Sequence, residues 1–363
     1  MTDVVHWIGS GIFGLLGILT FLPLSKLSHG VVHGGAFVRV QIFWVASLLA
    51  VIGAIMGLPA WLELGALLIA GVNLLYIIKF TPIWPKQSVE ADLVLQQETE
   101  RHISVLSVNV KQSNRDYETL IALVRKYDVD VVSAVEVDGP WIEALKEGLG
   151  HAYDHWVEVP KDNTYGMCVL SRLPLSGIKV REVVTEGVPS VRMVATLRSG
   201  EDVLVYVVHP EPPVINHDSK GRDSEIAHIG LEAAKDEMPV IVTGDLNDVA
   251  WSTTTRRFQR LSGLLDPRVG RGFFNSFNAY HWWARWPLDH LFHDPQFRLL
   301  HMARLEKIGS DHFPMLFELA LANTDAQISD VGEADASETH EVRQMIKDEK
   351  QRDRDPIGAD WED

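Results

Sequence analysis

The sequence lacks several features that often decide a fold class early. It holds one cysteine, Cys168, which excludes an internal disulfide. That cysteine lies in an apolar run and reads as a packed core thiol rather than a nucleophile. Neither a cysteine cluster nor a His-Glu-x-x-His arrangement occurs, so nothing argues for structural or catalytic zinc. Positive charge is scarce, with 33 Lys plus Arg against 49 Asp plus Glu and a net charge of −16. That balance opposes broad electrostatic attraction to a polyanion, although a bound metal ion reverses the field locally. No internal repeat is present. Residues 1–7 carry Asp3 and no Lys or Arg, so the basic region of a cleaved signal peptide is missing.

Long apolar runs, by contrast, crowd the first 80 residues. Ile8–Leu24, Ile42–Leu58 and Trp61–Ile78 contain a single charged residue among them, Glu63. Each approaches the length of roughly 17–25 residues that a bilayer-spanning helix needs. Three transmembrane helices within residues 1–86 are therefore expected. Lys26 and Arg39 fall between the first two runs and Lys79 and Lys86 follow the third, so the positive-inside rule puts both basic segments in the cytoplasm, with the rest of the chain. Trp61, Tyr76 and Trp84 lie near the expected span ends, where amphipathic rings favour the interface.

Polar residues 87–101 read as a tether. From His102 to residue 322 short β-like runs outnumber amphipathic helices, which favours packed sheets with helices outside. A helix from a cap at Asn114 to Tyr127, a second over Pro140–Leu149 and a third over Ser224–Asp236 are expected. Residues 323–363 hold 13 acidic against 5 basic side chains. They read as a disordered tail, or at most a solvated helix near 339–352, able to recruit a protein partner.

Six polar features close predicted strands. Asn109 ends Ser107-Val108-Asn109, Glu136 follows Ser133-Ala134-Val135, and His209 follows Val207-Val208. Asp245 and Asn247 stand in Gly244-Asp245-Leu246-Asn247, Asp289 in Pro287-Leu288-Asp289, and Asp311-His312 in Gly309-Ser310-Asp311-His312. One such residue is an ordinary turn former. Six together offer a hard oxygen ligand for Mg²⁺ or Mn²⁺ at Glu136, amides for a phosphate, and histidines for proton transfer and charge. Metal-assisted phosphoester hydrolysis is the chemistry they suit.

In that order these motifs resemble the endonuclease/exonuclease/phosphatase superfamily, whose deoxyribonuclease I-like members are α/β proteins, and the run Tyr165-Gly166-Met167-Cys168-Val169-Leu170-Ser171-Arg172 resembles its central strand. Among bacterial members the chain looks most like the membrane-associated YafD-like branch. The resemblance spans about 102–320 and implies a four-layer α/β sandwich and a divalent metal cofactor. It implies Glu136 as main metal ligand with Asn109 beside it, Asp311 completing the metal site, and Asp245 orienting or deprotonating the attacking water. Asn247 would hold the phosphate, His312 would contact it with Asp289 fixing its tautomer, and His209 would serve as general acid. Tyr165 and Arg192 are candidate phosphate contacts. Lys111 stands where many nuclease members carry an acid. The substrate is a phosphoester, whether nucleic acid, phospholipid head group or phosphorylated metabolite. The alternative is a catalytically silent membrane scaffold that recruits partners through its acidic tail. The aromatic loop Phe273–Pro287 precedes Asp289 and is expected to overhang the site, with Trp282 and Trp283 selecting substrate by stacking on a base or dipping into lipid.

Overall fold

The computed structural model describes residues 2–25, 27–322 and 331–359. Four helices lead the chain: α1 Thr2–Phe21, α2 Gly30–Phe37, α3 Arg39–Met56 and α4 Ala60–Ile77. Two are long and apolar enough to cross a membrane, Arg39–Met56 and the stretch Ala60–Phe80, and a shorter apolar stretch covers Gly9–Leu24. The α3–α4 turn closes on Gly57 at φ 62°, a left-handed end that glycine supplies without a Cβ penalty. Lys26, one of the four charges behind the expected orientation, lies outside the described residues. A buried polar clasp joins three of these helices: the Asn73 amide donates to Thr20 Oγ1 at 2.9 Å and accepts from Arg39 at 3.2 Å. In an apolar setting such groups persist only when paired.

The short helix α2 was not expected from the sequence. It packs beside the end of α1, where a Cβ on Gly35 would meet Leu19 O at 2.5 Å, and also docks on the body of the protein. Gly30 N–H donates to His217 O at 2.9 Å, and a Cβ on Gly30 would sit 1.8 Å from Val214 O, so the approach requires glycine.

The body holds two sheets. The first runs in the order β10-β11-β1-β2-β4-β3 and the second β5-β6-β7-β8-β9. The strands are β1 His102–Asn109, β2 Val131–Val135, β3 His155–Val159, β4 Met167–Ser171, β5 Leu175–Arg181, β6 Ser190–Thr196, β7 Asp202–Val208, β8 Val240–Asp245, β9 Asp289–His293, β10 Phe297–Arg304 and β11 Met315–Leu321. Alternate residues of both sheets, among them Val105, Val169, Met193, Val205, Ile241 and Phe317, interdigitate as the central core, as face-to-face sheets require. Helices α5 Tyr117–Tyr127 and α6 Gly139–Leu149 cover the first sheet, and α7 Lys220–Ala233 with α8 Thr253–Ser262 cover the second. This is the expected four-layer α/β sandwich. Cys168 is buried in its core, and burial pushes the thiol's pKa up.

Three local readings are corrected. Helix α5 is capped by Asp116, whose side chain accepts from Thr119 N–H, while Asn114 instead donates to Val110 O and Ile308 O. The polar stretch 87–101 is no free tether. Ala91 N–H donates to Leu299 O and Leu299 N–H to Val89 O, both at 2.9 Å, which covers the edge strand β10. Ser88, fully buried, meets His293 Nε2 at 2.7 Å.

The acidic tail, read as disordered, is a docked helix α9 Ala336–Glu349 followed by a strap to residue 359. Val342 and Ile346 are buried against the α7 side of the body, and several of the tail's charges are paired: Arg354 forks onto Glu211 at 2.6 and 2.7 Å. Residues 323–330 and 360–363 lie outside the described residues.

Candidate active site

Two parallel strand pairs, β1/β2 in one sheet and β7/β8 in the other, end at the same edge of the sandwich. Parallel pairing aligns their carboxyl ends, so Asn109, Glu136, His209 and Asp245 arrive together from four positions distant in sequence. Gly244 makes the approach possible: at φ 136° its Cβ would meet Val208 O at 2.0 Å. The antiparallel partner β9 then sets Asp289 opposite Asp245.

A cleft of about 380 Å³ opens there. Four of its lining residues, Lys111, Glu136, Thr164 and Asn247, are non-glycine residues with φ between 52° and 67°. Left-handed backbone costs on the order of 1–3 kcal/mol at such positions and gathers at functional sites. A larger cavity of about 600 Å³ lies between residues 214–218 and the strap 352–359. Its carboxylate Asp218 is paired with Arg352 at 3.0 Å, and the six strand-end features gather at the smaller cleft instead.

The hydrogen bonds form one chain across that cleft. Asn109 Nδ2 donates to Glu136 Oε1 at 2.6 Å and to Asp245 Oδ2 at 3.0 Å, while its Oδ1 accepts from Lys111 N–H at 2.9 Å. His312 Nδ1 lies 2.7 Å from Asp289 Oδ2 and its Nε2 3.5 Å from Asp245 Oδ2. Ser310 holds this turn in place, donating to Asn109 O and accepting from His312 N–H. Asn247 N–H donates to Asp245 Oδ1 at 2.9 Å.

Charge follows from these contacts. Burial opposes protonation of His312, but Asp289 and Asp245 outweigh it and hold the imidazolium up to about 10. Burial lifts Asp245 to about 6 against the pull of His312. Burial also lifts Glu136 to about 7, against Asn109 and His312. His209 is pushed down to about 3 by burial and by the His312 charge.

The expected site residues therefore fare differently. Asn109, Glu136, Asp245, Asn247, His209, Asp289 and His312 converge. Asn109 donates to two carboxylates through Nδ2, and its Oδ1 accepts from Lys111 N–H. His209, whose imidazole pKa burial pushes down, lies 3.9 Å from Glu136. Asp311 lines the same cleft and pairs there with Lys111 at 3.3 Å. Tyr165 lines the cleft fully buried, and its hydroxyl donates to Ile357 O of the strap. Arg192 is remote. It sits on the outer face of the second sheet, where Asp236, at 3.0 Å, and Tyr206 hold it.

Could the residues hold a divalent cation? Glu136 presents hard oxygen, is 19% exposed towards the cleft, and has its pKa raised by burial despite the His312 charge. That donor chemistry fits Mg²⁺ or Mn²⁺. Asp245, Asp289 and His312 also lie close enough to share an ion, but there the imidazolium already supplies the positive charge.

Several contributors carry no signal in the sequence. Gln112 accepts from Thr164 N–H at 2.6 Å and bridges two cleft walls. Arg222, fully buried, donates to Asn247 O at 3.0 Å while meeting His33 of α2 and Asp223. Phe37, the last residue of α2, lines the cleft itself.

A family model described as Endonuclease/Exonuclease/phosphatase family matches residues 106–312, more than half of the chain. Among solved structures, D. rerio TDP2 complexed with single strand DNA product is similar at 18% identity and TM-score 0.52, covering 60% of this chain and 98% of that one. An endonuclease/exonuclease/phosphatase from Beutenbergia cavernae is similar at 20% identity and TM-score 0.50, covering 61% and 72%. At such identities the likeness speaks for the fold alone. No curated protein matches.

Proposed function

This chain belongs to the endonuclease/exonuclease/phosphatase family, and we propose that it is a membrane-anchored, divalent-metal-dependent phosphoester hydrolase. The observation that carries the reading is the unbroken contact chain Asp289–His312–Asp245–Asn109–Glu136 along one cleft. A structural role alone gives no reason to gather three carboxylates and an imidazolium at a strained, partly open edge.

The residues divide the work. Asp245, near neutrality and partly held by Asn247 N–H, takes the proton of the attacking water. His312, kept protonated and oriented by Asp289, faces the phosphate and stabilises charge as it grows. Water's oxygen bonds to phosphorus, the P–O bond to the leaving group breaks, and the departing alkoxide takes a proton from solvent. A divalent cation held by Glu136 would neutralise phosphate oxygens beside it. Lys111, paired with Asp311, stands where a second metal would need an acid, which favours one ion.

Membrane anchoring is supported by α3 and α4, which leave Leu48 60%, Ile55 80% and Leu75 73% exposed. Helices of a soluble core would cover such side chains. The segments before α3 and after α4 both meet the catalytic body, as a cytoplasmic placement of both requires.

The test is hydrolysis of bis(4-nitrophenyl) phosphate by the full-length protein with Mg²⁺ or Mn²⁺. Asp245→Ala and His312→Ala should each lower kcat by at least about 100-fold, the scale of a lost general base or charge stabiliser, and chelation should abolish turnover. Equal rates in wild type and both variants would favour the silent scaffold instead.

A further inference from the structure

The cleft has two unlike walls, and the apolar one begins at the membrane. Phe37 lines the cleft and stands two residues before Arg39, the first residue of the apolar helix α3. Its ring meets Trp286 edge-on at 5.9 Å, Trp286 stacks on Phe277 at 6.1 Å, and Phe277 lies 4.9 Å from the His312 ring. An aromatic path thus runs from the start of a candidate span to the catalytic imidazolium.

The path is anchored. Trp286 Nε1–H donates to Phe37 O at 2.6 Å and Trp251 Nε1–H to Ala36 O at 2.7 Å. At the tip of the same loop Tyr280, Trp282 and Trp283 are 51%, 81% and 65% exposed. Indoles left in water near a span end suit the bilayer interface, where the ring and its N–H are both accommodated.

The opposite wall is polar and short of cations. Among the described residues Lys111 is the one lysine or arginine lining the cleft, and it faces Asp311. A polynucleotide needs a series of cationic phosphate contacts, and the chain's net charge of −16 adds repulsion. One phosphate attached to an apolar chain needs neither.

We propose that the substrate is a lipid phosphoester drawn from the bilayer, its hydrocarbon chain lying along Phe37, Trp286 and Phe277 while its phosphate reaches Asp245 and His312. This rests on the phosphoester hydrolase reading above. Hydrolysis consumes one water and releases the alcohol on one side of the broken P–O bond and the phosphate on the other.

The experiment uses full-length protein in vesicles of phosphatidylethanolamine and phosphatidylglycerol doped with phosphatidic acid, with Mg²⁺. Product release is compared with that from dibutanoyl forms of the same lipids, from a single-stranded oligodeoxynucleotide and from bis(4-nitrophenyl) phosphate. The long-chain lipids should exceed their dibutanoyl forms in kcat/KM by at least about tenfold, since two buried methylenes already give that factor. Trp282→Ser/Trp283→Ser, exposed positions that the fold tolerates, should lower the ratio of vesicle to dibutanoyl rates by about tenfold. Equal rates on long and short chains, or preference for the oligonucleotide, overturn the proposal. Turnover of bis(4-nitrophenyl) phosphate without any lipid hydrolysis sinks it while leaving the hydrolase reading intact. Inactivity on all four substrates sinks both.

Discussion

The two flanks of the cleft are closed by segments far apart in the chain and by different forces. On one side α2 presents Phe37 and is held by indole-to-carbonyl bonds and aromatic packing. On the other, the strap after α9 reaches Tyr165 and is held by Arg354, forked onto Glu211, which is 1% exposed. The first flank spreads its hold over ring contacts, indole bonds and the His33–Asp223 contact; the second centres on the Arg354 fork, with Glu349 and the buried Val342 and Ile346 beside it. A distributed flank should lose stability by degrees, whereas a concentrated one should fail at a single position.

Arg354→Ala is the sharpest way to break the comparison. It leaves Glu211 buried without its guanidinium, which typically costs about 3–5 kcal/mol. The thermal midpoint should fall, and activity on bis(4-nitrophenyl) phosphate should fall with it as Tyr165 loses its partner. A change as small as that of a surface substitution would show that the ion pair is ornamental.

Acid should come next, and it acts on the α2 flank. Burial raises the carboxyl of Asp223, but Arg222 and His33 outweigh it and hold the pKa below the ordinary carboxylate range. A depressed carboxylate contributes stability above its unfolded pKa of about 3.9, and that contribution is lost as pH falls through the folded value. Denaturant midpoints measured downward from neutrality should therefore drop below about pH 4, and Asp223→Asn should lack this part of the slope. A slope unchanged in that variant would remove Asp223 from the account.

Trp286→Phe should do least. It keeps most of the ring and deletes one hydrogen bond to Phe37 O, worth about 0.5–1.5 kcal/mol. A loss as large as that of Arg354→Ala would mean that the α2 flank is as concentrated as the tail flank.

The contrast also explains what the sequence could tell. Asn109, Glu136, Asp245, Asp289 and His312 were legible because each follows or begins an apolar β run, and local pattern fixes where such a run ends. The sandwich was legible for the same reason. Arg192 misled because a β-strand residue after a turn looks alike whether it faces a cleft or an outer surface; Asp236 and Tyr206, which decide the matter, lie 44 and 14 positions away. Helix α2 escaped notice because its hydrogen-bond partners on the body are 187 to 249 positions distant. The tail was misjudged through its charge. An acidic count treats each carboxylate as solvated, yet Glu349 is buried between Arg352 and Arg354, and Glu338 pairs with Arg260.

The bond from Tyr165 to Ile357 also sets a timetable. The two residues are 192 positions apart, and at roughly 5–20 residues per second of synthesis that is about 10–40 s. The Arg354 fork and the Tyr165 bond can form only after both sheets have been made. Once His312 has been made, the nascent protein carries its carboxylates and histidines with the tail-side wall still missing, so the strap marks the moment at which the cleft first acquires its final shape.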